Sequence, residues 1–292
     1  MAEPLELTAE AIRRRLSSTE DQELTLVVQN SGIVGPSLLL HQLSLHLPRF
    51  SPDHATCSRT VLNEAQRLAS RLSILQAPHL ACVAAASASI TSRELVFSAV
   101  SENVARTIHE AFHYLLSFRE NSSHFGLSSP ASTNGWPMAM CSVSQFDLLN
   151  MGTALADRGF ASSEAVVLSR VYAFPGTPQN SITLLFGRIR DWLRQYRPKI
   201  KVLLTYVNPN IGFTGASYRA DNWSLLGREQ TRYAYWAEDY ITEREIDRRK
   251  LRGDPRLAQS RCVLKPLNVL FRPVKRPYSA FERAAPLSPW SA

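Results

Sequence analysis

The stretch NPNIGFTGASYRADNW (208–223) holds the densest group of side chains in the chain that are suited to acid–base chemistry. Tyr218 and Asp221 are three residues apart, so a helix would set them on one side. Near a bound anion this pair could act as general acid and general base, with the Ser217 hydroxyl as a further catalytic group. The alternative is a structural turn in which Tyr218 packs and Asp221 pairs with Arg219 or Arg228.

The same stretch has the properties of an anion-binding loop. It connects the apolar run KIKVLLTYV (199–207), a predicted buried strand, to a helix that we expect to begin near Gly215. Glycines such as Gly212 let the backbone approach a ligand, and the unpaired N–H groups and dipole of a helix N-terminus favour negative charge. The spacing is neither that of a P-loop nor that of a Rossmann fingerprint. Ordinary turn chemistry therefore stays the alternative.

Histidines and cysteines give a weaker signal. His109 and His113 are four residues apart on a predicted helix, a spacing that can bind a metal, although His113 adjoins Phe112 and could instead be packed. The cysteines lack any Cys-x-x-Cys pair and predict neither a zinc site nor a disulfide framework. They are Cys57, Cys82, Cys141 and Cys262.

The net charge of +8 over 292 residues is concentrated in the C-terminal third. Residues 188–276 carry 20 Lys and Arg against 9 Asp and Glu, a net charge of +11. This asymmetry favours a partner that carries phosphate, either a nucleic acid or an anionic cofactor; a solvated face is the alternative. Tyr233 is a candidate for base stacking, with ordinary packing in a strand as the alternative. The predicted nucleic-acid contacts are Arg228, Arg232, Tyr233, Arg244, Arg248, Arg249 and Lys250.

The elements that must position these residues alternate from Arg93 onward and predict a mixed α/β sheet flanked by helices. Ser101 is a suitable N-cap for the first helix. The helix over 180–196 is amphipathic, with Leu185, Ile189, Trp192, Leu193 and Tyr196 expected to face inward. The predicted strands span 93–100, 136–144, 165–174 and 199–207, the helices span 102–118 and 180–196, and 121–135 is predicted to be a loop.

The sequence pattern changes near residue 93, from mainly helical to alternating strands and helices, and this change predicts two units and a tail. Residues 1–92 read as a mainly helical extension of unknown role, 93–276 as the catalytic domain and 277–292 as a C-terminal tail. The hydrophobic content of 45% excludes a wholly disordered chain. No apolar run approaches about 18 residues and no apolar segment follows the start, so we expect a cytoplasmic protein without membrane contact.

Over roughly 93–275 the sequence resembles the GNAT-type acyltransferase fold, and more specifically the Mom family of phage DNA-modification proteins. The resemblance rests on the order and spacing of three pieces. These are LLTYVNPNIGFTGASYRADNWSLLG (203–227), LSRVYAF with PQNSITLLF (168–186), and IHEAFHYLLS (108–117) followed by HFGLSS. It implies a transferase that uses acetyl-CoA to place a carbamoylmethyl-type group on the N6 amine of adenine in double-stranded DNA, protecting the DNA from restriction.

The resemblance also implies which residues bind the cofactor. The glycine-containing loop would hold the pyrophosphate, and the end of the preceding strand would present its backbone to the pantetheine arm. Thr205 occupies a strand-end position where the family tends to place a small hydroxyl residue, and it is a further catalytic candidate. The implied cofactor-binding residues are Leu204, Thr205, Tyr206, Asn210, Gly212, Thr214 and Gly215. The usual acetyltransferase signature Arg/Gln-x-x-Gly-x-Gly/Ala is not present in that form.

A ferrous ion is associated with a His-Tyr pair in the family. The pair falls here on His113 and Tyr114, and Asp221 is the implied third ligand. Phe213 stands where many relatives carry a histidine, which removes one candidate base or ligand. The metal is therefore an expectation carried by the resemblance and by the histidine spacing.

Two other functions stay open at the level of sequence. One is a GNAT-fold N-acetyltransferase acting on a small amine or a protein, although such an activity does not require the concentrated positive charge. The other is a nucleic-acid-binding accessory protein that keeps the fold without turnover, for which the altered glycine pattern is the argument. The oligomeric state is not specified, and a homodimer is one option.

Overall fold

The structure, a computed structural model, describes residues 18–19, 22, 25–26, 90–113, 115, 117–130, 136–146, 151–174, 177–209, 215–236, 239–248 and 250–274. Most of the predicted N-terminal extension and the whole of the predicted tail 277–292 lie outside the described residues. The predicted division of the chain therefore stays a prediction. Among the described helices, none is long and apolar enough to span a membrane.

An eight-stranded mixed sheet forms the centre of the described part, in the order β1-β2-β3-β4-β5-β8-β6-β7. Neighbouring strands are antiparallel except β4 and β5, which run parallel. This confirms the predicted mixed α/β sheet. The strands are β1 Val96–Ala99, β2 Ser122–Ser128, β3 Ala139–Gln145, β4 Ala165–Ala173, β5 Val202–Val207, β6 Ser224–Trp236, β7 Asp239–Thr242 and β8 Cys262–Pro273.

Helices lie between the strands and cover the sheet. The α-helices are α1 Glu102–Ala111, α2 Gly152–Ala156, α3 Ser181–Tyr196, α4 Ala216–Ala220, α5 Glu243–Arg248 and α6 Pro255–Ala258, and short 3-10 turns span Ser92–Glu94 and Ser162–Glu164. Ser101 caps α1 as predicted, because its hydroxyl accepts the backbone N–H of Val104 at 3.4 Å.

Helix α1 ends earlier than predicted, at Ala111 and not near residue 118. The N–H groups of Phe112 and His113 both bond to the carbonyl oxygen of Ile108, and the second of these bonds, over five residues, widens the last turn. The N–H of Leu115 then donates to the His113 ring at 3.2 Å. A side chain thus replaces the next helical acceptor, and the chain turns away.

The predicted loop 121–135 contains strand β2, which pairs with both β1 and β3. Serine and glycine made this segment look like a loop. Gly126 is needed for close packing, because a Cβ at this position would lie 2.6 Å from the Cβ of Pro137. The buried side chains of His124 and Phe125 point to opposite faces of the strand.

The two faces of the sheet bury separate cores. On the first face α3 packs through Leu185, Ile189 and Leu193 against strand residues that include Cys141 and Val143. A smaller core on the second face includes Leu155 of α2, with Val167, Leu204 and Val269 among the strand residues. Tyr196, predicted to face inward, is 60% exposed at the last position of α3, with its ring centroid 5.6 Å from that of Trp192.

Candidate active site

The parallel strands β4 and β5 separate part of the way along their length. Their pairing ends at Leu168 and Thr205, although β4 continues for five residues and β5 for two. In open α/β sheets, ligands bind beyond the carboxyl ends of strands, where neighbouring strands part. The gap that begins after this last pair is therefore the natural position for a ligand.

Ser169 is the first residue of β4 beyond the pairing with β5. On the other side of β4 the register shifts, so that Leu168 faces Val143 and Arg170 faces Ser142, and Ser169 is left as an extra bulge residue. The Ser169 carbonyl oxygen accepts a hydrogen bond from the Arg170 guanidinium at 2.7 Å. Bulges redirect side chains and are common next to active sites, and this one lies at the start of the gap.

Tyr218 of α4 reaches the same place. The buried Thr205 hydroxyl donates to the carbonyl oxygen of Leu168 at 3.1 Å and lies 3.2 Å from the Tyr218 hydroxyl. The Tyr218 ring stacks on Phe186 with the ring centroids 5.0 Å apart. Two of the predicted catalytic residues, Thr205 and Tyr218, are thus brought together where the strands part.

Asp221 is engaged by two neighbours. Its two carboxylate oxygens form a bidentate ion pair with Arg190 of α3, with 2.8 Å between Oδ1 and Nη2. The indole N–H of Trp223 donates to Oδ2 at 2.9 Å. Asp221 therefore pairs with an arginine, but this arginine is Arg190, which is 31 residues away in the chain and not one of its near neighbours.

Two of the three residues predicted to bind a ferrous ion have other partners in the structure. Nδ1 of His113 accepts the N–H of Leu115 at 3.2 Å, so the lone pair of this ring nitrogen is already used. Asp221 is bound by Arg190, and Tyr114 lies outside the described residues. Within the described ranges, no three His, Cys, Asp or Glu residues are grouped so that they could hold an ion.

A buried histidine–serine network, which sequence reasoning did not find, lies between α1 and strands β2–β4. The Ser142 hydroxyl is 2.7 Å from Nε2 of His109 and 2.7 Å from Nδ1 of His124. Since Cys141 and Val143 face α3, Ser142 faces the opposite side of the sheet. Only the spacing of His109 and His113 pointed to this region, because β2, which carries His124, was predicted to be a loop.

The network extends to the bulge through hydroxyl groups. Ser144 Oγ is 2.6 Å from Ser169 Oγ and 2.8 Å from Ser122 Oγ. Beside it, the buried Arg170 donates to the carbonyl oxygen of Ser117 at 3.2 Å. The Ser169 hydroxyl is also 3.3 Å from the carbonyl oxygen of Ser142, so hydrogen-bonded polar groups lead from the histidines to the start of the gap.

The histidines of the network are held in their neutral form. Burial lowers the pKa of His109 to about 3, and the positive charges of Arg170 and His124 act in the same direction. Burial also lowers the pKa of His124. Nδ1 of His109 has no hydrogen-bond partner among the described residues, so the network presents a neutral imidazole nitrogen inside the fold.

The predicted cofactor residues are only partly described. Asn210, Gly212 and Thr214 lie outside the described residues. Gly215 is described and caps α4 with a φ of 71°, a left-handed conformation that glycine adopts without strain. The helix that it precedes has only five residues, so its N-terminal dipole is small.

The strand-end residues predicted to face the pantetheine arm differ in what they can offer. Leu204 and Thr205 have partners on both sides, in β4 and in β8, and their side chains are buried. Tyr206 pairs only with β8 and lies beside the gap. The backbone of Tyr206 is therefore the best placed of the three to meet a ligand in the gap, and the cofactor-binding role of all three residues stays a prediction.

A second helix N-terminus adjoins the gap. β4 leads through residues 174–180 into α3, which has sixteen residues and is preceded by Asn180 with a φ of 66°. The longer helix gives the larger positive end. Sequence reasoning missed this connection because it lacks the paired glycines that marked the loop before α4.

The predicted nucleic-acid contacts fall into different environments. Arg228 and Arg232 are exposed on β6, with Gln230 between them on the same face. Tyr233 is fully buried, and its hydroxyl accepts the side-chain N–H of Asn208 at 2.7 Å. The predicted stacking role of Tyr233 is therefore wrong, because its face of β6 is the inward one.

Acidic side chains offset part of the positive charge of the predicted nucleic-acid contacts. Arg232 lies 3.6 Å from Glu243, and Arg252 pairs with both Glu243 and Asp247. Lys250 is exposed. Arg244 and Arg248 belong to α5, but their side chains lie outside the described part, as does Arg249.

The described sheet has one parallel pair of strands, β4 and β5. These strands separate beside a bulge in β4 and the side chain of Tyr218. Together with the strand order, this arrangement defines a GNAT-like α/β protein. The chain belongs to the Mom protein family, which matches residues 94–269. The resemblance seen in the sequence, and with it the GNAT-like fold class, is confirmed. Membership of this family supports an acyltransferase-like function.

Solved structures similar to the chain include acetyltransferases. The ribosomal-protein-S18-alanine N-acetyltransferase from Escherichia coli is 11% identical, with 64% of this chain and 97% of that chain covered and a TM-score of 0.38. An N-acetyltransferase from Staphylococcus aureus Mu50 is 9% identical, with 62% and 99% covered and a TM-score of 0.37. The comparison with curated proteins gave no match.

Proposed function

We propose that this protein is a DNA-modifying, acyltransferase-like enzyme that alters the N6 amine of adenine in double-stranded DNA, with acetyl-CoA as the donor. The observation that carries the proposal is the position of the Tyr218 hydroxyl, which Thr205 fixes where β4 and β5 part. Membership of the Mom protein family supports the same assignment. The outcome for the cell is DNA that resists restriction.

Tyr218 is the proposed general acid. Acetyl-CoA, when bound, supplies an acyl carbon activated by a thioester and a sulfur leaving group. Tyr218 holds a proton at the start of the gap and can deliver it to that sulfur, because its ring is packed on Phe186 and its oxygen is beside Thr205. A positioned acid of this kind contributes about 10²–10⁴-fold to a rate.

The histidine–serine network favours an uncharged acceptor. Its members around Ser142 and Ser169 are neutral, and Arg170 is the charged group beside them. A protonated aliphatic amine would be desolvated beside this guanidinium without a carboxylate from the network to balance its charge. The exocyclic amine of adenine is uncharged, so the network supports a nucleobase over a lysine or a polyamine.

The exposed arginines of β6 suit the phosphate backbone of a duplex. A base must leave the helical stack before its exocyclic amine can enter a buried site. Arg228 and Arg232, which share the exposed face of β6, are proposed to hold the flanking phosphates. Lys250 is proposed to extend the same contact.

The chemistry of the product separates two versions of the proposal. Simple acyl transfer joins the adenine nitrogen to the carbonyl carbon and gives an acetyl group. A carbamoylmethyl group is joined through its methylene carbon and carries an amide nitrogen, which the acetyl group of acetyl-CoA does not contain. Joining the methyl carbon of that acetyl group to the adenine nitrogen also removes two electrons. The second product therefore requires a nitrogen-containing co-substrate and a two-electron oxidant in addition to acetyl-CoA.

Mass spectrometry of nucleosides tests the proposal directly. DNA from cells that express the full chain is digested, and deoxyadenosine is examined for the masses of the acetyl and carbamoylmethyl products. We expect a modified nucleoside with the unaltered chain, and a loss of about 10²-fold or more with Tyr218→Phe. Unmodified deoxyadenosine in DNA exposed to folded, unaltered protein would contradict the proposed function.

A further inference from the structure

Helix α4, which carries Tyr218, is too short to hold its own orientation. It spans the five residues Ala216–Ala220 and is followed by Asn222 with a φ of 58° before the chain enters β6. Helices of one turn gain little from their own hydrogen bonds. The position of the Tyr218 hydroxyl must therefore depend on contacts with other elements.

Arg190 and Asp221 join α4 to the long helix α3. The carboxylate and the guanidinium form a bidentate pair, with 2.8 Å between Oδ1 and Nη2 and a second contact between Oδ2 and Nη1. The two side chains are only 14% and 10% exposed. Bidentate pairing fixes direction as well as distance, so this pair sets the angle at which the end of α4 meets α3.

The same carboxylate also orients the aromatic side chains around Tyr218. The Trp223 indole donates to Asp221 Oδ2 at 2.9 Å and packs edge-on against the Tyr218 ring, with centroids 5.3 Å apart. Phe186, one helical turn before Arg190, stacks on Tyr218 with the ring centroids 5.0 Å apart and also contacts Trp223 at 5.7 Å. Both aromatic rings that contact Tyr218 are thus adjacent to the ion pair, one through a hydrogen bond to Asp221 and the other through the helix that carries Arg190.

We infer that Arg190 and Asp221 are positioning residues that hold Tyr218 at the gap, an inference that rests on the proposed acid role of Tyr218. It replaces the general-base and metal-ligand roles that the sequence gave to Asp221. A buried ion pair adds little stability compared with apolar packing, and its best attested use is to specify one arrangement. Here the specified arrangement is the contact between the Tyr218 and Thr205 hydroxyls.

Kinetics of the full chain with acetyl-CoA and double-stranded DNA test the inference. Asp221→Asn and Arg190→Met should each lower kcat by about 10²-fold, because a misplacement of about 1 Å has an effect of that size. The KM for acetyl-CoA should change little, and Arg190→Lys should retain part of the rate. Asp191→Asn is the matched control, because Asp191 pairs with Arg194 on the exposed face of α3.

The decisive measurement combines these variants with Tyr218→Phe. If the ion pair acts through the phenol, then Asp221→Asn causes no further loss in a chain that already lacks the hydroxyl. If the losses of kcat in the two single variants multiply in the double variant, the inference is overturned. Full activity of Arg190→Met together with an inactive Asp221→Asn would also overturn it, because that is the pattern of a general base. Loss of one bound iron per chain in Asp221→Asn, after loading with ferrous ion, would restore the ligand role.

Hydrogen–deuterium exchange gives a readout that does not need turnover. Amides of 216–223 should exchange faster in Arg190→Met and Asp221→Asn than in the unaltered chain, while amides of β4 and β5 stay protected. Unchanged exchange of 216–223 would overturn the positioning role. Inactivity of the unaltered chain would instead contradict the proposed function and leave this exchange test in force. Should Arg190→Met fail to fold, Arg190→Lys keeps a charge opposite Asp221 and takes its place.

Discussion

The hydroxyl groups of Thr205 and Tyr218 lie 3.2 Å apart at the point where strands β4 and β5 stop pairing. One hydroxyl belongs to the central strand β5 and the other to the short helix α4. Thr205 also donates to the carbonyl oxygen of Leu168, the last residue of β4 that pairs with β5. A single threonine thus connects the end of the parallel ladder with the proposed acid.

Thr205→Val is expected to disturb both ends of this connection. Valine has the shape of threonine but cannot donate to Leu168, and a lost hydrogen bond of this kind lowers the free energy of unfolding by about 1 kcal/mol. The Tyr218 hydroxyl also loses its neighbour, so kcat should fall. Urea unfolding and steady-state kinetics measure the two effects. Thr205→Ser keeps the hydroxyl and should restore both; equal activity of the valine and serine variants would contradict this account.

The pattern of apolar residues predicted the sheet better than it predicted the site. β5 and α3 were found because a continuous apolar run and an amphipathic period follow directly from burial on two faces or on one. β2 was missed because its serines and Gly126 have the composition of a loop, whereas their small size serves close packing with Pro137. Local propensity is overridden here by neighbours that are distant in sequence.

The site was predictable only where its parts are close in the chain. Tyr218 was found because a strand end, glycines and a helix start follow one another. The partner of Asp221 was not found, because Arg190 is 31 residues away and meets it only through the packing of α3 on α4. His124 and Ser142 likewise come together through strand register alone.

The buried histidines predict a loss of stability in acid. The pKa of His109 in the folded protein is about 3, below its ordinary value of 6.5, so the unfolded chain binds the proton more readily between these values. Stability is therefore fully present above about pH 6.5 and declines as the pH falls toward 3. Urea unfolding at a series of pH values measures the decline. His109→Gln has no titrating group at this position and should show a weaker dependence; an identical dependence would contradict the assignment.

Tyr233→Phe separates a structural tyrosine from a DNA contact. The variant leaves the side-chain N–H of Asn208 without the acceptor that it has at 2.7 Å, which should lower the free energy of unfolding by about 1–3 kcal/mol. DNA affinity should be unchanged, because the Tyr233 ring is fully buried. Tyr196→Phe is the matched control, since Tyr196 is 60% exposed, and its stability should not change. Weaker DNA binding by folded Tyr233→Phe would restore the stacking role.

The exposed face of β6 predicts a salt-dependent contribution to DNA binding. Each phosphate contact adds about 0.9 to the slope of the logarithm of affinity against the logarithm of salt concentration. Arg228→Gln should reduce the slope by about this amount and weaken binding to all DNA sequences alike. Glu243→Gln should strengthen binding, because it removes the negative charge 3.6 Å from Arg232.

Arg256→Gln is the control for this experiment, because Asp254 offsets the charge of Arg256 at 3.0 Å and little slope should be lost. Fluorescence anisotropy with a labelled duplex, at several salt concentrations, measures all three variants. A slope that Arg228→Gln leaves unchanged would mean that this face of β6 does not meet the phosphates. The concentrated positive charge of residues 188–276 would then belong either to a solvated face or to contacts with the phosphates of the proposed cofactor at the gap.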